Sequence, residues 1–151
     1  MLDAQALDFL DNRGIDSETA DRCGVYSTNI KGINGKSVIV FTYFEDGRLI
    51  NEKFRMIPKE KFWQHKGRKE ILYNVDILND PALEEGRMPL VITEGELDTL
   101  VAIQCGFPLS VSAPNGAPPE SPRDFAESGS EDQDGRYKYL WNAREKLKRV
   151  K

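Results

Sequence analysis

Glu94 and Asp98 stand where carboxylates can do metal-dependent chemistry, at the turn in Leu90-Val91-Ile92-Thr93-Glu94-Gly95-Glu96-Leu97-Asp98. Leu90 to Thr93 reads as a short buried strand, Gly95 relieves the turn, and Leu97, Leu100, Val101 and Gln104 follow at helical spacing. Glu94 then falls at the carboxyl end of the strand, the edge at which open α/β sheets place their ligands. Asp98, one helical turn on, shares a face with it if the helix starts early. Two acids on one edge suit a hard cation, Mg²⁺ or Mn²⁺. A plainer explanation competes: acids in a first helical turn complement the helix dipole, and Thr93 with Glu96 fits a capping box.

The surrounding charge is what favours chemistry. The formal net charge is -4, from 21 Lys and Arg against 25 Asp and Glu, which argues against indiscriminate coating of nucleic acid. Its distribution is uneven. Residues 53–69 carry Lys53, Arg55, Lys59, Lys61, Lys66, Arg68 and Lys69 against Glu60, and residues 120–134 carry Glu120, Asp124, Glu127, Glu131, Asp132 and Asp134 against Arg123. The basic stretch also holds Phe62, Trp63 and His65, the mixture that grips nucleic acid, although a solvated basic face is the simpler reading. Phe62 is expected in the core, and Trp63 fits either role.

These groups need elements to position them. Residues 3–22 read as two short helices, the first with an apolar stripe of Ala6, Leu7, Phe9 and Leu10, the second capped by Asp16 or Ser17. Gly24 to Gly35 reads as a connection. Ser37 to Phe44 and Leu49 to Met56, joined through Asp46-Gly47, form a hairpin. Alternation places Ile50, Glu52, Phe54 and Met56 on one face of its second strand and Leu49, Asn51, Lys53 and Arg55 on the other, so the basic pair points one way. Asn74 to Leu78 can start a helical turn, and Pro81 to Met88 reads as a charged connection. Glu96 to Cys105 is helical, Leu109 to Ala113 is a second short strand, and strand-helix-strand order implies parallel pairing. Pro114-Asn115-Gly116-Ala117 then makes a loop at the same edge as Glu94, where the Asn115 and Gly116 amides can approach a phosphate. Lys138 to Lys151 reads as an amphipathic helix with Tyr139, Leu140, Ala143 and Leu147 inward.

The 151 residues, 39% hydrophobic and 30% charged, describe a globular protein of one domain or two small lobes. No apolar run approaches a membrane span and no signal peptide precedes the first helix, so a cytoplasmic protein without membrane contact is expected. Cys23 and Cys105 are far apart and His65 is the single histidine, so structural zinc is not expected and both cysteines read as small buried hydrophobes.

Taken together, Val91-Ile92-Thr93-Glu94-Gly95-Glu96-Leu97-Asp98, the strand after it and the Pro114-Asn115-Gly116-Ala117 loop resemble the first half of a Toprim domain, the metal-binding module of DnaG-type primases, topoisomerases and some nucleases. The hairpin, Lys53-Phe54-Arg55 to Lys61-Phe62, and Leu72-Tyr73-Asn74 are similar to the basic lobe that precedes Toprim in DnaG-type primases and primase-helicases. The resemblance covers residues 36–117. It implies an α/β fold, α+β overall: a helical segment over 1–35, a basic antiparallel β-rich lobe over 36–86, and a partial Toprim, Rossmann-like parallel-sheet lobe over 87–151.

The same resemblance implies that Glu94 is catalytic, that Glu94 and Asp98 bind the metal, and that Lys53, Arg55 and Lys61 contact phosphates of template or nucleotide. Single-stranded DNA and nucleoside triphosphates are the implied partners, with a replicative helicase a further one. A complete Toprim domain continues into an apolar strand ending in Asp-x-Asp. Asp132-x-Asp134 has that spacing without a buried strand before it. The chain is therefore expected to be part of a larger primase or primase-helicase that makes RNA primers, inactive alone and weak for Mg²⁺. Two rivals remain: a noncatalytic nucleic-acid-binding module, and a Toprim nuclease.

Overall fold

The computed structural model describes residues 1–29, 36–57, 61–116 and 137–151. Lys59 and the acidic segment with Asp132 and Asp134 lie outside the described residues. Helix α1 (Ala4–Asp11) starts at Asp3, whose carboxylate accepts from the Ala6 amide, and α2 (Ser17–Arg22) starts at Asp16, which accepts from Thr19. Each cap satisfies one amide that the first helical turn leaves without a partner.

Strands β2 (Val38–Glu45) and β3 (Arg48–Met56) form the expected hairpin, with Asp46 and Gly47 both at positive φ, as a tight two-residue turn demands. Asp76 anchors that turn by accepting from both amides. Two further strands flank the hairpin, the first of them within the stretch read as a connection. The four-residue β1 (Val25–Thr28) pairs antiparallel with β2, and β4 (Phe62–Gln64) pairs antiparallel with β3, giving the order β1-β2-β3-β4. Neither is long enough to show a period; their partners decide them.

The two faces of this sheet differ. Val40 lies opposite Phe54 and Val38 opposite Met56, a small apolar cluster on one side. Ile39 opposite Arg55 and Phe41 opposite Lys53 lie on the other, so the alternation read from sequence holds from Asn51 to Met56 and the basic pair points toward the main core, whereas Ile50 falls at a register irregularity and packs against the main core instead of beside Phe54.

After Tyr73 come a 3₁₀ turn (Val75–Asn79) and the short α3 (Pro81–Glu84), capped by Asp80 where a plain connection was expected. Strand β5 (Val91–Thr93), helix α4 (Glu96–Gln104) and β6 (Ser110–Ser112) then form the parallel pair. Tyr73 and Ser112 exchange backbone hydrogen bonds on the far side of β6. Leu90 to Thr93 is not a buried strand: among the described residues β5 pairs on one side only, and Ile92 is 55% exposed. Cys105, the C-cap of α4, is exposed rather than buried, whereas Cys23 is half-buried and burial raises its thiol pKa.

Helix α5 (Lys138–Leu147) is shorter than its pattern suggested and packs Tyr139 and Ala143 inward, with Leu140 and Leu147 partly covered. One apolar cluster runs from Ala6 and Leu10 through Ile39, Phe41 and Tyr43 to Tyr73, Leu100, Val111 and Ala143. It therefore ties the inner face of the hairpin to α4 and β6, and this fixes the basic strand against the acid-bearing turn. No helix among the described residues is long and apolar enough to cross a membrane.

Candidate nucleotide and metal site

Thr93 sets the turn that carries the acids. Its hydroxyl lies 2.8 Å from that of Thr99 and 3.2 Å from the carbonyls of Gly95 and Val111, bonds that stitch β5, α4 and β6 together. Helix α4 begins after Gly95, which offers no side-chain cap, so Thr93 and Glu96 do not form a capping box. A Cβ on Gly95 would lie 3.3 Å from Asp98 Oδ2. The glycine thus leaves the Asp98 carboxylate room to fold back over the turn.

Glu94 and Asp98 are exposed and line one cavity of about 360 Å³, together with Lys53, Arg55, Phe62, Asn115 and Gly116. Gly116 is held close, 3.9 Å from the Glu94 carbonyl at its notional Cβ. The fold therefore brings together six of the seven residues singled out for chemistry. Lys61, exposed just before β4, does not line the cavity.

Glu96 behaves unlike its two neighbours. It is buried, and its Oε1 accepts from Lys53 Nζ at 2.7 Å and from the Tyr43 hydroxyl. Lys53 also donates to the Pro114 carbonyl at 2.7 Å. Gln64 on β4 adds bonds of 3.2 Å to the same carbonyl and 3.0 Å to Asn115 Oδ1. One network thus joins the basic strand, the acid-bearing helix and the loop after β6. Sequence reasoning missed Glu96 because an acid at a helix start already has an explanation in the helix dipole. The available signal was Lys53, a cation on the inward face of a strand, which needs a counter-charge nearby.

Arg55 carries the other unusual feature. Its Nε is buried and has no hydrogen-bond partner, while the residue lines the cavity. Burial and then the nearby Arg13 push its pKa below the ordinary arginine value, the direction expected where cationic charge is crowded and dehydrated. Arg55 lines the cavity as a half-buried cation, and a guanidinium so placed is suited to an anionic oxygen.

Two curated proteins are similar to the chain over nearly its whole length. No protein-family model matches the chain. The Twinkle homolog protein, chloroplastic/mitochondrial, of Arabidopsis thaliana is 36% identical over 143 residues, which is 95% of this chain and 18% of that protein. The primase homolog protein of the same plant is 35% identical over 143 residues, 95% of this chain and 39% of that protein. The chain is primase-like. It spans less than half the length of each of these curated relatives.

In the primase-like chain, donor chemistry decides what the cavity can hold. Among the described residues no group of three His, Cys, Asp or Glu side chains could hold a metal ion, and Glu96 is engaged with Lys53 and Tyr43. Two exposed carboxylates remain, which fits Mg²⁺: this ion keeps several waters and is bound through one or two carboxylates plus substrate phosphates. It does not fit zinc.

The buried tyrosines around this network give a pH signature. Burial and then the Glu96 charge push Tyr43 well above the ordinary phenol value of 10.0, and burial chiefly does the same for Tyr73. A raised folded-state pKa means that the native protein keeps protons which the unfolded chain loses. Stability is then fully present below pH of about 10 and falls as pH rises beyond it. The thermal midpoint is expected to drop steeply above that value, and less steeply for Tyr43→Phe, as followed by circular dichroism.

Proposed function

We propose that this chain is the nucleotide- and template-handling part of a primase-type nucleotidyltransferase, in which β5–α4–β6 is the first half of a Toprim-like module. The observation that supports this best is the placement of Glu94 and Asp98 in one cavity with Lys53 and Arg55. Two carboxylates facing two cations suit a metal and a polyphosphate bound together, because each neutralises the charge that would repel the other. Mg²⁺ bound there would stabilise the charge that develops on the oxygens of the transferring phosphoryl group. Arg55 and Lys53 would orient the phosphates, Glu96 would hold Lys53 in place, and Asn115 and Gly116 would close the cavity from the β6 side. Single-stranded DNA as template, nucleoside triphosphates as substrates and a helicase partner follow from the same reading, and the primase reading itself is in line with the name of the primase homolog protein.

A noncatalytic binding module is the second reading, favoured by the cavity holding two exposed acids only among the described residues. A product assay on the protein that carries this chain separates the two, and separates both from a nuclease. With Mg²⁺, single-stranded DNA and ribonucleoside triphosphates, short RNA products are expected that require the triphosphates. DNA shortening without triphosphates would identify a nuclease, and no products with intact DNA binding would identify the module.

A further inference from the structure

Asn115 stands between the Glu94 cavity and a neighbouring groove of about 260 Å³, and it lines both. The donor and acceptor ends of an amide have nearly the same shape, so its direction is set by its partners. For Asn115 the direction is set from β3. The Glu52 backbone N–H, which can only donate, bonds to Asn51 Oδ1 at 2.9 Å. Asn51 Nδ2 therefore faces Gln64 and donates to its Oε1 at 3.1 Å. Gln64 Nε2 is then left to donate to Asn115 Oδ1 at 3.0 Å and to the Pro114 carbonyl at 3.2 Å. A carbonyl can only accept, so the far end of this chain of bonds agrees with its start.

The sheet makes the relay possible. Gln64 lies opposite Lys53 in the β3–β4 ladder, so the two side chains share the face that Asn51 also occupies. Asn51 is 7% exposed and Pro114 is buried, and reversing any of these amides would set like ends against each other away from water. Asn115 itself is exposed, and its Nδ2 has no partner among the described residues. With Oδ1 held by Gln64, the NH₂ is the end offered to a ligand, in the company of Lys53 and Arg55. A donor beside two cations suits an anionic oxygen and cannot ligate a hard cation.

We infer that Asn51 and Gln64 form a fixed relay that turns the Asn115 amide to donate to a phosphate oxygen of a triphosphate in the Glu94 cavity. Gln64 does not line that cavity, so it is a positioning residue acting through Asn115. This rests on the nucleotide reading of the cavity and adds a neutral donor to its two cations. The test is a double-variant cycle on the full chain, with calorimetric binding of tripolyphosphate and, separately, ATP, each with Mg²⁺.

Asn115→Ala is expected to weaken both ligands about tenfold, the loss of one hydrogen bond to a charged oxygen. Gln64→Met keeps the volume and removes the relay, and should weaken both about threefold, the cost of ordering an amide no longer held in place. In the Asn115→Ala background Gln64→Met should add nothing, so the double variant also loses about tenfold. Additive losses, about thirtyfold together, would make Gln64 a support of the loop and overturn the relay, as would no effect of Gln64→Met alone. A loss with ATP but not with tripolyphosphate would assign Asn115 to the nucleoside and overturn the phosphate contact. Binding indifferent to Asn115→Ala yet lost in Lys53→Ala with Arg55→Ala would overturn the inference and leave the cavity reading intact. No binding of either polyphosphate would overturn both. Melting curves accompany each titration, and if Gln64→Met is unfolded at the assay temperature, Gln64→Glu, which keeps an acceptor for Asn51 and lacks the donor, takes its place in the cycle.

Discussion

Glu94→Gln in the protein that carries this chain is expected to lower Mg²⁺-dependent primer synthesis on the order of a hundredfold or more, with folding unchanged. The size follows from removing one preorganised charge at a phosphoryl-transfer site, where single electrostatic groups are commonly worth about two to three orders of magnitude in rate. The structural side follows from exposure: Glu94 faces the cavity and makes no hydrogen bond that the turn depends on, since Thr93 and Thr99 hold that turn. Asp98→Asn should act in the same direction. Primer yields at saturating triphosphate, measured beside matched melting curves, check this, and an unchanged yield in Glu94→Gln would remove the catalytic role.

Glu96→Ala is expected to act the opposite way, on stability first. Lys53 and Glu96 are 14% and 8% exposed at their side chains, so removing the acid leaves a poorly solvated ammonium whose remaining bond is to the Pro114 carbonyl. Breaking a buried pair from one side costs about 3–5 kcal/mol, and the surviving carbonyl bond and the adjoining cavity place this case near about 3 kcal/mol. The Tyr43 hydroxyl loses its acceptor in the same variant. Combining Glu96→Ala with Lys53→Met should recover much of the loss, because no uncompensated charge then remains. Denaturant unfolding of the single and double variants measures it, and strictly additive losses would show that the pair is not coupled.

The parts of this site that could be read from sequence were those whose signal is local. Glu94 and Asp98 sit within five residues of one another on a strand, turn and helix, each with its own pattern. Alternation along β3 placed Lys53 and Arg55 on one face without any knowledge of their partners. What could not be read depends on contacts between distant residues. Glu96 meets Lys53 across 43 positions and Tyr43 across 53. β1 and β4 exist because β2 and β3 offer them edges, and Phe62 is exposed because β4 is the last strand of its sheet. Cys105 looked buried by residue type, but at the end of α4 the helix has already left the core.

The resemblance to primases came from ordered motifs rather than from any one of them, and the two plant relatives extend it over nearly the whole chain. The cavity adds a physical reason for the order. A basic strand and an acidic turn, separated in sequence by β4, a 3₁₀ turn and α3, are pressed together by one apolar cluster and pinned by the Lys53–Glu96 pair. Neither charge set alone would define a nucleotide site; facing one another, they suit a metal-bound polyphosphate.

The most direct test of that joint site is Mn²⁺ binding, followed by electron paramagnetic resonance with and without a nonhydrolysable nucleoside triphosphate. Weak binding by the chain alone, tightened in the presence of triphosphate and lost in Glu94→Gln with Asp98→Asn, is the predicted result, with the triphosphate effect also lost in Lys53→Ala with Arg55→Ala. Mn²⁺ binding that is indifferent to all four residues, with or without triphosphate, would contradict it.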